Sequence, residues 1–322
     1  GLIGVASGMA LCLPGAAQAD CGKVSMTEMN WASSQIITEV SKFLLEQGYG
    51  CSVEKVPSAT TTSVASLAEN GEPDIVTELW LNSTGAIYAK LEAEGKVTRL
   101  ANVFKPGGVE GWWIPSYLAE AHPELTTVKG IMANPKLVGG RFNNCPDGWG
   151  CRIVNDNLIN ALGMRNSVDI FDHGSGETLA TSIAAAYENK EPWFGYYWAP
   201  TSIMGKYPMK KLDFGVPHDA AHWNECTAKE DCADPKPNGW AKSEVYTVVT
   251  PKFAKSSPEG MAYIKLRGWS NPVANEVLAY MSDNQYTGED GAAYFLKKYE
   301  NLWSKWVSPA AASKIKAALA NS

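Results

Sequence analysis

The chain has 322 residues and a formal net charge of -6, and it contains 12 tryptophans and 13 tyrosines. A net negative charge disfavours nucleic acid and anionic membrane surfaces as partners. The many aromatic side chains favour recognition of a ligand by aromatic faces.

The first 19 residues are predicted to be a secretory signal peptide rather than part of the fold. An uncharged apolar run covers 2–13, Pro14 interrupts it, and small residues precede a cleavage point after Ala19. The run is too short to span a membrane. We therefore expect a soluble exported protein of about 300 residues, which is enough for two lobes.

Six cysteines remain after removal of the signal peptide, and an even number in an exported protein indicates disulfides. Four of them form two Cys-x5-Cys pairs, whose short loops close most easily, and the other two then pair by default. The predicted bridges are Cys21–Cys51, Cys145–Cys151 and Cys226–Cys232. Other connectivities and free thiols are the alternatives.

Strands and helices alternate along the chain in two sets. The first set has predicted strands at 24–28, 52–56 and 74–80, and helices at 34–47, 62–70 and 84–94. Ser33 is expected to cap the first helix and Gly48 to end it. A strand at 110–115 is predicted to leave the first lobe. The second set then has strands at 137–142, 168–171 and 193–198, and helices at 153–162 and 177–188.

The alternation predicts an α/β protein with two mostly parallel sheets flanked by helices. Residues 215–244 form a predicted loop region, and the β-branched run 245–250 is a strand that returns the chain to the first lobe. We therefore assign 20–113 and 245–322 to the first lobe and 114–244 to the second. The chain would cross near 113–116 and near 243–245.

The sequence contains none of the common catalytic motifs, such as Gly-x-Ser-x-Gly or His-Glu-x-x-His. His218 and His222 could bind a metal together with Cys226, but Cys226 has a better partner in Cys232. The segment around His173 is predicted to be a turn that enters a helix. We expect no catalytic residue, cofactor or metal, with an exported hydrolase as an alternative.

Four tryptophans follow predicted strands, at Trp31, Trp80, Trp149 and Trp198. Ligands of open α/β sheets bind beyond the carboxyl ends of the strands, so these rings are predicted to form one aromatic box. A quaternary ammonium group lacks N–H donors and is attracted to the π-faces of indoles. Packing at the sheet rim and stacking on a sugar are the alternatives.

Polar residues next to these tryptophans are candidate ligand contacts. Glu78 and Glu110 each lie two residues before a tryptophan, Trp80 and Trp112, and so share its face of a strand. Either carboxylate could balance a ligand cation or could be solvated. In the loop 143–151, backbone N–H groups and Asn144 could hold an anionic group, or the loop could be purely structural.

Four motifs together resemble those of one family. They are Glu-Leu-Trp at 78–80, Glu-Gly-Trp-Trp-Ile-Pro at 110–115, Cys-Pro-Asp-Gly-Trp-Gly-Cys at 145–151 and Tyr-Trp-Ala-Pro at 197–200. Their order and spacing resemble the glycine betaine, choline and proline betaine substrate-binding proteins of ABC transporters, over nearly the whole mature chain.

The resemblance implies a two-lobed periplasmic binding protein of type II, with two crossovers, that closes on its ligand and is not an enzyme. It implies a cage for a methylated ammonium group at Trp31, Trp80, Trp112 and Trp198, and the disulfide loop adds Trp149. The implied partner is an ABC permease in the inner membrane, and this protein is expected to be a monomer.

The disulfide loop differs from the glycine-rich version in choline binders. It resembles the loop of relatives that bind trimethylamine N-oxide or other methylated osmolytes. The expected ligands are therefore glycine betaine, choline, trimethylamine N-oxide or dimethylsulfoniopropionate.

Overall fold

The computed structural model describes residues 21–321, so the predicted signal peptide lies outside the described residues. Within this range, no helix has both the length and the apolar character needed to cross a membrane. The strands and helices fall into two α/β lobes that meet at a cleft.

The strands are β1 (Lys23–Met29), β2 (Ser52–Ser58), β3 (Ile75–Trp80), β4 (Thr98–Asn102), β5 (Phe104–Lys105), β6 (Gly108–Pro115), β7 (Arg141–Asn144), β8 (Asp169–Asp172), β9 (Gly195–Ala199), β10 (Met209–Lys211), β11 (Lys242–Ser243), β12 (Val245–Val249) and β13 (Trp269–Ser270).

The helices are α1 (Ala32–Tyr49), α2 (Thr60–Asn70), α3 (Gly85–Ala93), α4 (Ser116–Ala121), α5 (Val128–Ala133), α6 (Gly150–Ala161), α7 (Gly176–Asn189), α8 (Ser202–Lys206), α9 (Ala220–His222), α10 (Pro251–Ser256), α11 (Pro258–Leu266), α12 (Asn271–Asp283), α13 (Gly288–Lys298), α14 (Glu300–Trp303) and α15 (Pro309–Ala320).

The first lobe is built on a sheet with strand order β2-β1-β3-β12-β4. Its first three strands are parallel, and β12 is antiparallel to both of its neighbours. Every residue of β3 is buried, as expected for a strand covered on both faces. The small parallel pair β5 and β13 also belongs to this lobe.

The second lobe is built on a sheet with strand order β10-β6-β9-β7-β8, and β11 also pairs with β6. Strands β7, β8 and β9 are parallel, whereas β6 is antiparallel to its neighbours. Both sheets point the carboxyl ends of their parallel strands towards the cleft, because cavity-lining residues follow β1 and β7 and lie at the ends of β3 and β9.

The chain crosses between the lobes twice, but the first crossing comes earlier than predicted. Strand β5 pairs in the first lobe and β6 pairs in the second, so the crossing lies at Pro106 and Gly107 rather than near 113. The sequence of β6 does not indicate which sheet the strand joins, because strand pairing depends on residues that are far apart in the chain. The second crossing, at Glu244 between β11 and β12, agrees with the predicted one.

The ends of α1 differ from the prediction in a way that bears on the cleft. The N-cap position is Trp31, and Ser33 caps nothing because its hydroxyl donates to Glu78 instead. The helix ends at Tyr49 and is capped by Gly50, whose φ of 71° is the left-handed conformation that glycine favours at this position. The first turn of α1 is thus held by the neighbouring strand β3.

The predicted strand at 137–142 begins later than expected. Residues Pro135–Val138 form a short 3-10 helix, and β7 starts only at Arg141. The three disulfides join Cys21 to Cys51, Cys145 to Cys151 and Cys226 to Cys232, which confirms the predicted connectivity.

Candidate functional site: an aromatic cavity between the lobes

A small cavity lies between the two lobes. Both lobes contribute to its walls. Its lining residues are Trp31, Thr60, Trp80, Ser83, Glu110, Trp149, Gly150, Cys151, Tyr196 and Trp198.

Four indole rings form most of the wall. Trp31 and Trp80 follow or end strands β1 and β3, while Trp149 and Trp198 come from the second lobe. Trp149 lies edge-on to Trp31 at 5.4 Å and to Trp198 at 5.1 Å between ring centroids. Its indole N–H donates to Asn30 Oδ1 at 2.7 Å, which ties it to the first lobe. The four rings that were predicted to form one aromatic box lie together in this structure.

Glu78 lies behind the rings and not on the wall. Its Oε1 accepts the indole N–H of Trp31 at 2.8 Å, that of Trp80 at 2.9 Å and the hydroxyl of Ser33 at 2.9 Å. Burial raises the pKa of this carboxyl, and the hydrogen bonds together with the charge of Arg267 offset only part of that effect. The predicted direct contact with a ligand cation is therefore replaced by contact with the rings.

Glu110 lies on the cavity wall. It accepts the phenol O–H of Tyr196 at 2.8 Å, and the hydroxyl of Ser243 donates to its other oxygen. Asn82 in turn donates to Ser243, so the carboxyl is connected to the second crossing of the chain. Burial raises the pKa of Glu110, although these hydrogen bonds and the charge of Lys211 act against the rise.

Trp112 does not line the cavity, which corrects the prediction. It shares a face of β6 with Glu110, but β6 runs from the cleft into the lobe, so two residues place Trp112 about 7 Å deeper. There it is fully buried against Phe142 and Phe194, and its indole N–H donates to Asn155 at 2.8 Å.

Asn144 is also a structural residue in this geometry. Its amide N–H donates to Asp172 at 3.0 Å, and its oxygen accepts from Asn155 at 2.8 Å and from the backbone N–H of Cys145 at 3.0 Å. The amide is fully buried and is absent from the cavity wall, because these partners occupy it. It stabilises the base of the disulfide loop that carries Trp149.

The sequence analysis missed several lining residues. Tyr196 lies two residues before Trp198 on β9, so the same alternation that was applied to Glu78 could have identified it. Thr60 and Ser83 could not be identified in this way, because Thr60 is the first residue of α2 and Ser83 lies in the turn before α3. Gly150 and Cys151 lie in the predicted loop but were assigned no contact of their own.

The two lobes touch closely around the cavity. Backbone and hydroxyl groups of Thr61 both donate to the carbonyl of Gly148 at 3.2 Å. A Cβ atom on Gly150 would lie 1.8 Å from Ser83 Oγ, so this approach requires glycine. With the four cavity tryptophans only between 5% and 8% exposed, the described conformation is closed.

The histidines considered as metal ligands or catalytic groups have other partners. His218 contacts the carbonyl of Gly239 at 2.7 Å, and His222 accepts the backbone N–H of Lys236 at 3.3 Å. Within residues 21–321 no cluster of His, Cys, Asp and Glu has the arrangement of a metal site. His173 is buried in the turn before α7, as the sequence indicated.

Two α/β lobes, joined by two crossings and closed over a small cavity, define a type II periplasmic binding protein. Residues 22–298 match the family described as the substrate-binding domain of ABC-type glycine betaine transport systems. The chain belongs to this family, whose members are transport proteins that bind substrate rather than enzymes.

Solved structures with the same fold have low sequence identity to this chain. A glycine betaine/L-proline-binding protein of Borrelia burgdorferi is 18% identical, with a TM-score of 0.74 and coverage of 91% of this chain and 99% of that one. An ABC-transporter choline-binding protein in complex with choline is 18% identical, with a TM-score of 0.72 and coverages of 93% and 98%.

The lactococcal protein OpuAC, in a closed conformation with glycine betaine, is 19% identical, with a TM-score of 0.68 and coverages of 89% and 100%. No curated protein sequence matches the chain significantly. At these identities the structural matches establish the fold, and the family match establishes the role as a substrate-binding component.

Proposed function

We propose that this protein captures a small methylated onium osmolyte in the cavity between its lobes and delivers it to an ABC permease in the inner membrane. The candidate ligands are glycine betaine, choline, trimethylamine N-oxide and dimethylsulfoniopropionate. The protein would act in the periplasm, as a monomer, after removal of its signal peptide.

The observation that carries this proposal is the composition of the cavity wall. Four indoles from two lobes line the cavity, and none of the lining residues is a lysine or arginine. Indole faces attract a desolvated methylated cation, with a contribution of up to about 2 kcal/mol per ring. A sugar would call for more hydrogen-bonding groups than this wall supplies.

The polar end of the ligand has a smaller set of partners. Thr60 and Ser83 offer hydroxyl groups, and α6 begins at Gly150 on the cavity wall. The first N–H groups of a helix have no partner within the helix and attract anionic groups. This end of the cavity therefore suits a carboxylate or an N-oxide oxygen.

The protonation state of Glu110 would also discriminate between the candidate ligands. Because burial raises its pKa, the neutral acid persists to a higher pH than in an exposed carboxyl, and in that form it can donate its proton to a ligand oxygen. Ionised, it can only accept, which suits the hydroxyl of choline. Binding of oxygen-anion ligands should therefore weaken as the pH rises, whereas choline binding should strengthen.

The test is a titration of the four candidate ligands, followed by tryptophan fluorescence and calorimetry, with protein unfolded and refolded to remove copurified ligand. Saturable binding of at least one onium compound, and none of glucose, is expected. If none of the four ligands produced a response, the proposal would be overturned. Repeating the titrations at pH 5.5 and 8 tests the protonation argument separately.

A further inference from the structure

We propose that Glu78 is a positioning residue that fixes two walls of the aromatic cavity and strengthens their attraction for a cation, without touching the ligand. The part concerning the cation rests on the proposed function. The part concerning the ring positions does not.

The hydrogen bonds of Glu78 join separate segments of the first lobe. One oxygen, Oε1, accepts from the indole nitrogens of Trp31 and Trp80 and from the hydroxyl of Ser33, all at 2.8 to 2.9 Å. Trp31 and Ser33 belong to the start of α1, whereas Trp80 ends β3. A single acceptor therefore sets the mutual orientation of two rings whose backbones are independent.

The burial of Glu78 excludes a direct ligand contact. Its side chain is fully buried and is not among the residues that line the cavity, whereas both of its indole partners are. The carboxyl lies at the N–H edges of the rings, so their faces are left for the cavity. This separates it from Glu110, which is itself on the wall.

Two features of the surroundings of Glu78 act against the rise in pKa that its burial causes. Three donors converge on one oxygen, and hydrogen bonds to a charged acceptor are stronger than those to a neutral one. Arg267 is also fully buried nearby, and its positive charge acts on Glu78. Its guanidinium donates to the backbone carbonyl of Thr77 at 2.9 Å, next to Glu78 in the chain.

A carboxylate at an indole N–H has an electrostatic consequence for the ring. It polarises the N–H bond and raises the electron density of the π-system, so the ring face becomes more negative. The attraction of that face for a cation is electrostatic and rises accordingly. In its ionised form Glu78 would thus act as a counter-ion through Trp31 and Trp80, and it would not have to be desolvated again when ligand binds.

The decisive variant is Glu78→Gln, which keeps the shape and one carbonyl acceptor but removes the charge. The matched control is Asp74→Asn. Asp74 precedes the same strand β3 and is buried, but it is not on the cavity wall and it accepts the backbone N–H of Ser25 at 3.0 Å. Each protein is titrated with glycine betaine and its neutral-centred isostere 3,3-dimethylbutanoate, and with choline and 3,3-dimethylbutan-1-ol. Indole N–H resonances are recorded with ¹⁵N-labelled tryptophan.

In Glu78→Gln the affinity for the onium probe should fall about 10-fold, and that for the isostere clearly less, so the preference for the cation shrinks. The N–H resonances of Trp31 and Trp80 should shift together, while that of Trp149 stays in place. Asp74→Asn should lower the melting temperature and leave affinities and resonances unchanged. An equal loss for cation and isostere would overturn the electrostatic part, and unshifted resonances would overturn the positioning.

The two proposals fail in different ways. If the wild-type protein binds none of the onium probes, the proposed function fails, while the resonances still decide whether Glu78 positions the rings. If Glu78→Gln does not fold, the indole N–H spectrum of the wild-type protein tests whether Glu78 holds the rings. Trp31 and Trp80 should then show downfield, slowly exchanging indole N–H signals compared with Trp240, whose indole nitrogen has no partner among residues 21–321. Signals like that of Trp240 would overturn the inference.

Discussion

At the scale of single residues, position along a strand decides which side chains face the cavity. Trp80 and Trp198 lie at or near the carboxyl ends of their strands and reach it, whereas Trp112 lies deeper in β6 and packs in the core. The residue type alone does not distinguish these roles, because tryptophan suits both a buried core and a ligand face.

Replacement of Trp80 by Ala should weaken onium binding by about 1–3 kcal/mol, because an entire π-face and its apolar contact are lost. Trp80→Phe should cost less, since a smaller ring remains. Calorimetric titration measures both. As a contrast, Trp303→Phe changes a fully buried ring of the first lobe far from the cavity wall and should lower stability only. Unchanged affinity in Trp80→Ala would remove this ring from the site.

Glu110 should make the stability of the protein depend on pH in a defined direction. Its pKa is raised in the folded state above the ordinary 4.5, so the unfolded chain loses the proton first as the pH rises. The stabilising contribution of Glu110 to the free energy of unfolding is fully present below pH 4.5 and is lost as the pH rises through the folded-state pKa. In Glu110→Gln, the free energy of unfolding should fall less between pH 4.5 and 8 than in the wild type, as denaturant titrations can measure. A parallel decline in both proteins would contradict this.

At the scale of elements, the disulfide loop and the start of α6 bring one aromatic ring and one helix terminus to the cavity. The loop from Cys145 to Cys151 carries Trp149, and its carbonyl at Gly148 meets α2 of the opposite lobe. The short disulfide-closed loop thus holds Trp149 at the cavity, beyond the end of its own sheet.

Opening the Cys145–Cys151 bridge by double replacement with Ser should reduce both stability, by about 2 kcal/mol, and ligand affinity, because the loop that holds Trp149 gains freedom. The matched control is the equivalent change at Cys226 and Cys232, a loop of the same sequence separation that does not line the cavity. That variant should lose stability alone. Similar affinities in the two variants would argue against a role for the loop in binding.

Gly150→Ala should prevent full closure of the lobes. The added Cβ would lie 1.8 Å from Ser83 Oγ across the cleft, while each lobe by itself keeps its packing. We expect a large loss of affinity with a nearly normal melting temperature in the absence of ligand. Gly174→Ala, at a position with no atom within 4 Å, is the control, and adding Ser83→Gly to Gly150→Ala should restore part of the affinity.

At the scale of the whole molecule, the closed conformation implies that ligand enters only when the lobes separate. The cavity walls come from both lobes, and the two crossings at 106–107 and at Glu244 are the connections about which they can swing. A ligand that touches both lobes stabilises the closed state by its differential affinity for it.

Small-angle scattering should therefore give a smaller radius of gyration with saturating ligand than without it, and the melting temperature should rise with ligand concentration. Gly150→Ala serves as the control, since it should show little compaction. A melting shift without compaction in the wild type would mean that the protein is closed without ligand or binds within one lobe. The second case would conflict with shared walls from Trp149 and Trp198.

The sequence by itself determined the features that local chemistry controls. Alternating apolar runs indicated the α/β class, short Cys-x5-Cys spacing indicated two of the bridges, and the tryptophans at strand ends indicated the cavity. These predictions succeeded because a periodicity, a short loop and a strand end are each set by a few neighbouring residues.

Only the tertiary structure decided what depends on distant partners. The sheet that accepts β6, the depth of Trp112 and the turn of Glu78 away from the cavity all follow from packing between segments far apart in the chain. Glu78 and Glu110 have the same spacing to a tryptophan, yet one meets two indole N–H groups and the other faces the cavity. Periodicity assigns a residue to a face of its strand, but the neighbouring elements decide what that face meets.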